Sequence, residues 1–205
     1  MTIEHTRRWN SNIHYHRLIL NAVPLGAHRA LDVGTGNGLL AAELHDRIPD
    51  VTGLDLDAAV LDSARHEDAG VNWLLGDVMT FPFQAASFDV VASVATLHHL
   101  PDLDQALSRM AELTAPGGVV AVVGLARSTR PVDRLYDLAG VVQQRAYSRR
   151  YGLWDHTAPI VWPPPHSYDD VRRSASRTMP GVRWHRLAMW RYALIWNKPT
   201  EQSSS

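Results

Sequence analysis

The chain predicts an α/β fold, doubly wound, with a mostly parallel sheet and helices on both faces. Three observations carry this expectation. Short apolar runs alternate with segments of helical period, a glycine-rich loop follows the first run, and a carboxylate stands at the end of each of the first three runs or directly after it. With 205 residues, 45% of them hydrophobic, the composition suits one domain over residues 1–205.

Five runs read as buried strands bounded by turn residues: 30–33 (ALDV), 50–55 (DVTGLD), 71–75 (VNWLL), 88–94 (FDVVASV) and 118–124 (GVVAVVG). Between them, Leu39-Leu40-Leu44-Ile48, Val60-Leu61-Ala64 and Leu103-Ala106-Leu107-Met110-Leu113 recur with the period of an amphipathic helix. Pro49 and "APGG" at 115–118 punctuate two of these helices, the second with a turn into the fifth strand.

After the fifth strand the rhythm breaks. Residues 131–150 read as an arginine-rich amphipathic helix, and "WDHTAPIVWPPPHSY" (154–168) as a proline-stiffened loop. Residues 127–165 are therefore expected to be a helical and loop insertion forming a lid. A last helix near 167–178 precedes "VRWHRL" (182–187) and "RYALIW" (191–196), an expected antiparallel pair, and 200–205 is an expected disordered tail.

Composition narrows the function. There is no cysteine, so thiolate chemistry and disulfides are absent. The N-terminus lacks the apolar core of a secretory signal, and no run approaches the roughly 20 apolar residues that span a bilayer. A soluble, cytoplasmic protein is expected. The net charge of −1 carries no footprint for nucleic acid or membrane. Its distribution is uneven: residues 1–126 hold 7 Lys+Arg against 15 Asp+Glu, whereas 127–191 hold 12 against 5. The second segment suits an anionic partner or a solvated arginine face.

In "LDVGTGNG", Asp32 ends a strand and Gly34, Gly36 and Gly38 open a helix, so a ligand can approach backbone where side chains would clash. The spacing is G-x-G-x-G, and Leu39 occupies the third glycine position of the dinucleotide fingerprint, which disfavours a pyrophosphate cradle. Asp55 ends the second strand about 20 residues later, where a carboxylate accepts from both ribose hydroxyls. Asp77 follows the third strand on the same sheet edge. Together these point to a nucleoside ligand.

The motifs "LDVGTGNG", "TGLDLD", "GDVMTFPF", "SFDVVASVATLHHLPD" and "LTAPGGVVAVV" resemble, in order and interval, the class I S-adenosylmethionine-dependent methyltransferases. The likeness is to the small-molecule branch with the ubiquinone and menaquinone biosynthesis enzymes, and it covers roughly residues 14–124. It implies a Rossmann-like seven-stranded sheet whose last strand is antiparallel. It also implies S-adenosylmethionine as cofactor and S-adenosylhomocysteine as product. Gly34 and Gly36 would admit the methionine portion, and Asp32 would support its ammonium group. Asp55 would hold the ribose and Leu56 would pack on adenine. Asp77 would accept from the adenine amine, Val78 would offer its N–H to the ring, and Ser93 would lie beneath the reacting centre.

Methyl transfer from a sulfonium needs positioning rather than a protein nucleophile. For an O–H acceptor a base must take the proton, and His98, in "ATLHHLPD", is the candidate. Tyr15 and His16 are candidate cover over the cofactor, while Tyr136, Trp154, His156 and Trp162 are candidate walls for a flat acceptor. "HYH" (14–16) and "HH" (98–99) lack a carboxylate set at ligand spacing, so no metal is expected.

The expected activity is methylation at O or N of a small, aromatic or anionic metabolite, with a homodimer as candidate assembly. The alternatives are RNA or protein methylation, and a cofactor-binding domain without turnover. "SVATLHH" is not the Asp/Asn-Pro-Pro-aromatic motif of base-amine methylation, so a nucleic-acid partner is disfavoured. Glycine spacing weighs against a nicotinamide oxidoreductase.

Overall fold

The structure is a computed structural model, and it describes residues 8–100, 102–152, 154 and 162–200. Seven strands form one sheet: β1 (Arg29–Val33), β2 (Asp50–Asp55), β3 (Asn72–Leu75), β4 (Phe88–Val94), β5 (Thr114–Leu125), β6 (Arg183–Arg186) and β7 (Arg191–Asn197). Their order is β3-β2-β1-β4-β5-β7-β6. Strands β1 to β5 are parallel, and β7 runs antiparallel to both β5 and β6. The Rossmann-like α/β expectation, with its terminal antiparallel pair, holds.

Alternation along the strands builds a core on each face. Leu31, Val33, Val91, Val120 and Val122 pack on one side with Leu103, Leu107 and Met110 of α4 (Leu103–Leu113) and Val171 and Ala175 of α6 (Tyr168–Thr178). Ala30, Val90, Ala92, Val119 and Ala121 pack on the other. There they meet Ile19 and Leu20 of α1 (His16–Leu20) and Leu40, Ala41 and Leu44 of α2 (Leu39–His45). α3 (Ala58–Ala64) is N-capped by Asp57, and α5 (Pro131–Tyr151) is the arginine-rich helix expected after β5.

One boundary differs from the sequence reading. "APGG" does not precede β5 as a turn but lies inside it: Thr114 pairs with Phe88 and Val119 with Val90, so the surplus residues bulge. Gly117 takes a left-handed φ of 79°, its N–H donates to the Lys198 carbonyl, and Lys198 donates back to Gly118. Pairing with the far end of the chain carries the strand through local turn chemistry.

No helix among the described residues is long and apolar enough to cross a membrane.

Candidate active site

Parallel strands turn their carboxyl ends to one edge of the sheet, and an antiparallel neighbour brings its amino end to the same edge. That geometry assembles a cavity of about 510 Å³. Its wall takes Asp32 to Asn37 from β1 and its loop, Leu54 to Asp57 from β2, and Gly76 to Val78 after β3. Val94 to Thr96, His98 and His99 follow β4, Leu125 ends β5, and Arg191 opens β7. An N-terminal stretch, Asn10 to Ile13 with His16, and Trp154 close it.

The glycine loop is held by its neighbours. Gly34 and Thr35 N–H groups both donate to the Leu54 carbonyl, and the Gly36 N–H donates to Asp55 Oδ2 at 2.8 Å. Gly36 has a left-handed φ of 55° and open space where a Cβ would stand, so it is the bare point of the cavity wall. Asp55 Oδ1 accepts from the Asp57 N–H at 3.0 Å, which orients the carboxylate and leaves lone pairs on both oxygens.

Asp32 is buried, with Thr35 Oγ1 donating to its Oδ2 at 2.7 Å. Burial pushes its pKa up to about 6 against the Thr35 hydrogen bond and the nearby His16 charge, and Asp55 adds to the rise. Asp77 orders its own turn, accepting the Met79 N–H at 2.9 Å. Val78 is buried in the wall, whereas Leu56 presents an exposed apolar side chain to it. A bare glycine, an exposed leucine and carboxylates at three successive strand ends fit a cationic, nucleoside-bearing ligand.

His98 lies in the 3-10 turn Leu97–His99, its ring 4.1 Å from that of His99. It is buried, and Nδ1 has no hydrogen-bond partner among the described residues. Burial, helped by the charges of His99, Arg191 and His166, lowers its pKa to about 4.

Several expected site residues lie elsewhere. Ser93 is fully buried behind the wall, and its hydroxyl donates to the Val33 carbonyl, tying β4 to β1. Gly38 is the left-handed N-cap of α2, where a Cβ would strike the Trp73 ring at 2.6 Å; it serves packing rather than the cavity. Tyr15 is also off the wall, with its hydroxyl donating to the Ala188 carbonyl at 3.1 Å. Tyr136 and Trp162 are exposed and do not reach the cavity; Tyr136 faces Arg186, and Trp162 meets Trp190 edge-on. His156 lies outside the described residues. His16 and Trp154 do line the cavity.

Sequence reasoning missed Asn10, Ser11, Asn12, Thr96 and Arg191. Thr96 carried a faint signal: a Cβ on Gly34 would meet its side chain at 2.3 Å, so the first glycine is required by a residue 62 positions away. No group of three or more His, Asp or Glu placed to hold a metal occurs among the described residues.

The sheet order and this cavity define a doubly wound domain with a cavity at the carboxyl edge, where folds of this class bind ligands. A methyltransferase-domain family model matches residues 31–122. An uncharacterized methyltransferase of Mycobacterium tuberculosis is 43% identical over 193 residues, spanning 93% of this chain and 98% of that protein. The malonyl-[acyl-carrier protein] O-methyltransferase of Salmonella typhimurium is 33% identical over 121 residues, 59% of this chain and 47% of that one. Among solved structures, the [4+2]-cyclase SpnF superposes with a TM-score of 0.68 at 15% identity, covering 97% of this chain and 89% of its own. That last likeness shows the fold alone. The chain belongs to the class I S-adenosylmethionine-dependent methyltransferases.

Proposed function

We propose that this methyltransferase acts in the cytoplasm on an O or N atom of a small metabolite, aromatic or anionic, and that Asp32, Asp55 and Asp77 hold the cofactor. The observation that carries the reading is that these three carboxylates and Gly36 line one cavity. When bound, S-adenosylmethionine would supply an electrophilic methyl group on a sulfonium leaving group.

Asp32 would set its charge against the ammonium group, Asp55 would offer its free lone pairs to the ribose hydroxyls, and Asp77 would accept from the adenine amine. Leu56 would cover the base, and Val78 would offer its N–H to the ring. The apolar lining from Ile13, Leu40, Leu54, Val94 and Leu125 excludes water, which favours dispersal of the sulfonium charge. His98 lines the cavity, is neutral through the physiological range and is the base this reading assigns to an O–H acceptor.

Residues 127–165 form the lid over the acceptor in this reading. Its support is the Trp154 N–H donating to the Trp9 carbonyl at 2.9 Å, which closes the wall at the N-terminal stretch. The exposed row Val132, Leu135, Leu138 and Val142 on α5 supports a homodimer.

Calorimetric titration with S-adenosylmethionine, S-adenosylhomocysteine and NAD(H) tests the assignment. Saturable binding of the first two, lost in Asp55→Ala, is expected; binding of NAD(H) alone overturns it. Unchanged turnover in both His98→Ala and His98→Gln removes His98 from the mechanism.

A further inference from the structure

Arg191 is the residue that the cofactor reading leaves unused. It is 7% exposed yet forms part of the cavity wall, and it is the only Lys or Arg there among the described residues. One guanidinium nitrogen donates to the Met189 carbonyl at 3.2 Å. The other donates to Ser11 Oγ at 2.9 Å and Asn12 Oδ1 at 2.7 Å. Its Nε is buried with no acceptor, and among the described residues no carboxylate pairs with it.

A buried, unneutralised guanidinium is costly to keep. The backbone that holds it is costly as well. Met189 and Trp190, which form the tight turn from β6 into β7, both have left-handed φ angles of 54° and 58° without being glycine or asparagine. Met189 is fully buried, and the Tyr15 hydroxyl fastens the Ala188 carbonyl just before it. Strain of this kind persists where surrounding structure imposes it, and it gathers at ligand clamps.

The charge has a defined place. Arg191 opens β7 opposite Leu125 at the end of β5, whereas Asp55 and Asp77 follow β2 and β3 on the other side of the glycine loop in the sheet order, so Arg191 stands at the end of the cavity away from the nucleoside carboxylates. Ser11 and Asn12 share that wall with it. The Ser11 hydroxyl accepts from Arg191 and so keeps its own proton to donate.

We propose that Arg191, oriented by Ser11 and Asn12, binds a carboxylate of the methyl acceptor. The inference deepens the methyl-transfer reading above and rests on it. One cation, with the flanking histidines neutral, balances the single charge of a carboxylate; the nearly two charges of a phosphate monoester would remain in excess. A carboxylate also accepts a charge-assisted hydrogen bond from the guanidinium, stronger than any that a neutral amide accepts.

The test uses the full chain saturated with S-adenosylhomocysteine. Straight-chain dicarboxylic acids and aromatic acids of up to about ten carbons are titrated in, each beside its amide, with inorganic phosphate as a further arm. At least one acid is expected to bind saturably, tenfold or more tighter than its amide and tighter than phosphate. Arg191→Gln should weaken that acid at least tenfold. Because removing a buried arginine can impair folding, Arg191→Lys and Ser11→Ala accompany it: the lysine keeps the charge but lacks the fork, and each is expected to weaken the acid severalfold.

Equal affinity for acid and amide, preference for phosphate, absence of binding by every acid, or undiminished acid binding in all three variants overturns the assignment. Failure of S-adenosylhomocysteine to bind the wild type is a separate result, visible before any acid is added; it brings down the methyl-transfer reading and this inference with it.

Discussion

Asp32 and His98 face the same cavity and respond to pH in opposite senses. Asp32 has its folded pKa raised from the ordinary 3.8 to about 6. Its contribution to stability is fully present below 3.8 and is lost as pH rises through about 6, a cost of about 3 kcal/mol at neutral pH. A cation bound against the carboxylate offsets that cost. Affinity for S-adenosylmethionine should therefore fall about tenfold from pH 7 to pH 5, and Asp32→Asn should bind weakly with a flat profile; calorimetry across this range reads both.

His98 has its folded pKa lowered from 6.5 to about 4, so its contribution is fully present above 6.5 and is lost as pH falls toward 4. Comparison with His98→Gln isolates it. Between pH 7 and pH 4.5 the wild type should lose on the order of 2 kcal/mol relative to the variant in urea unfolding, a constant difference refuting the desolvation account. Over much of pH 4 to 6 the two groups oppose each other, and their summed effect on wild-type stability nearly cancels.

At the scale of elements, α6 shows how local chemistry sets a boundary. Ser167 and Asp170 form a reciprocal capping box: Ser167 Oγ accepts the Asp170 N–H at 3.2 Å, and Asp170 Oδ2 accepts the Ser167 N–H at 3.0 Å. The helix then joins α4 through Ser174 and Arg177, both bonded to Asp104. Ser167→Ala should cost about 1 kcal/mol and lower the melting temperature by roughly 2–4 °C, without weakening S-adenosylhomocysteine. The start of this helix was legible because a cap is a short-range signal. The start of β5 was not, since pairing with residues 197 and 198 overrides the turn preference of "APGG".

For the whole molecule, the cavity draws on both ends of the chain and on every parallel strand. A ligand seated there couples them. At a concentration 100 times its Kd, S-adenosylhomocysteine should stabilise the fold by about 2.7 kcal/mol, raising the melting temperature by roughly 5–10 °C, while NAD(H) leaves it unchanged. Differential scanning fluorimetry distinguishes these outcomes, and no shift with either ligand contradicts the proposed site.

The first five strands, most helix positions, and the placing of Asp32, Gly34, Gly36, Asp55 and Asp77 at one edge were determined by the sequence alone. Apolar period, glycine conformation and the right-handed strand–helix–strand crossover act within about 30 residues, so they are written locally. Tertiary structure decided the acceptor end. Ser11 and Asn12 meet Arg191 across about 180 positions, through a strained turn whose Met and Trp carry no turn signal. It likewise drew Ser93, Gly38 and Tyr15 off the cavity wall and left Tyr136 and Trp162 at the surface. Such placements depend on which distant surfaces pack together, and neither composition nor spacing encodes that meeting before the sheet closes.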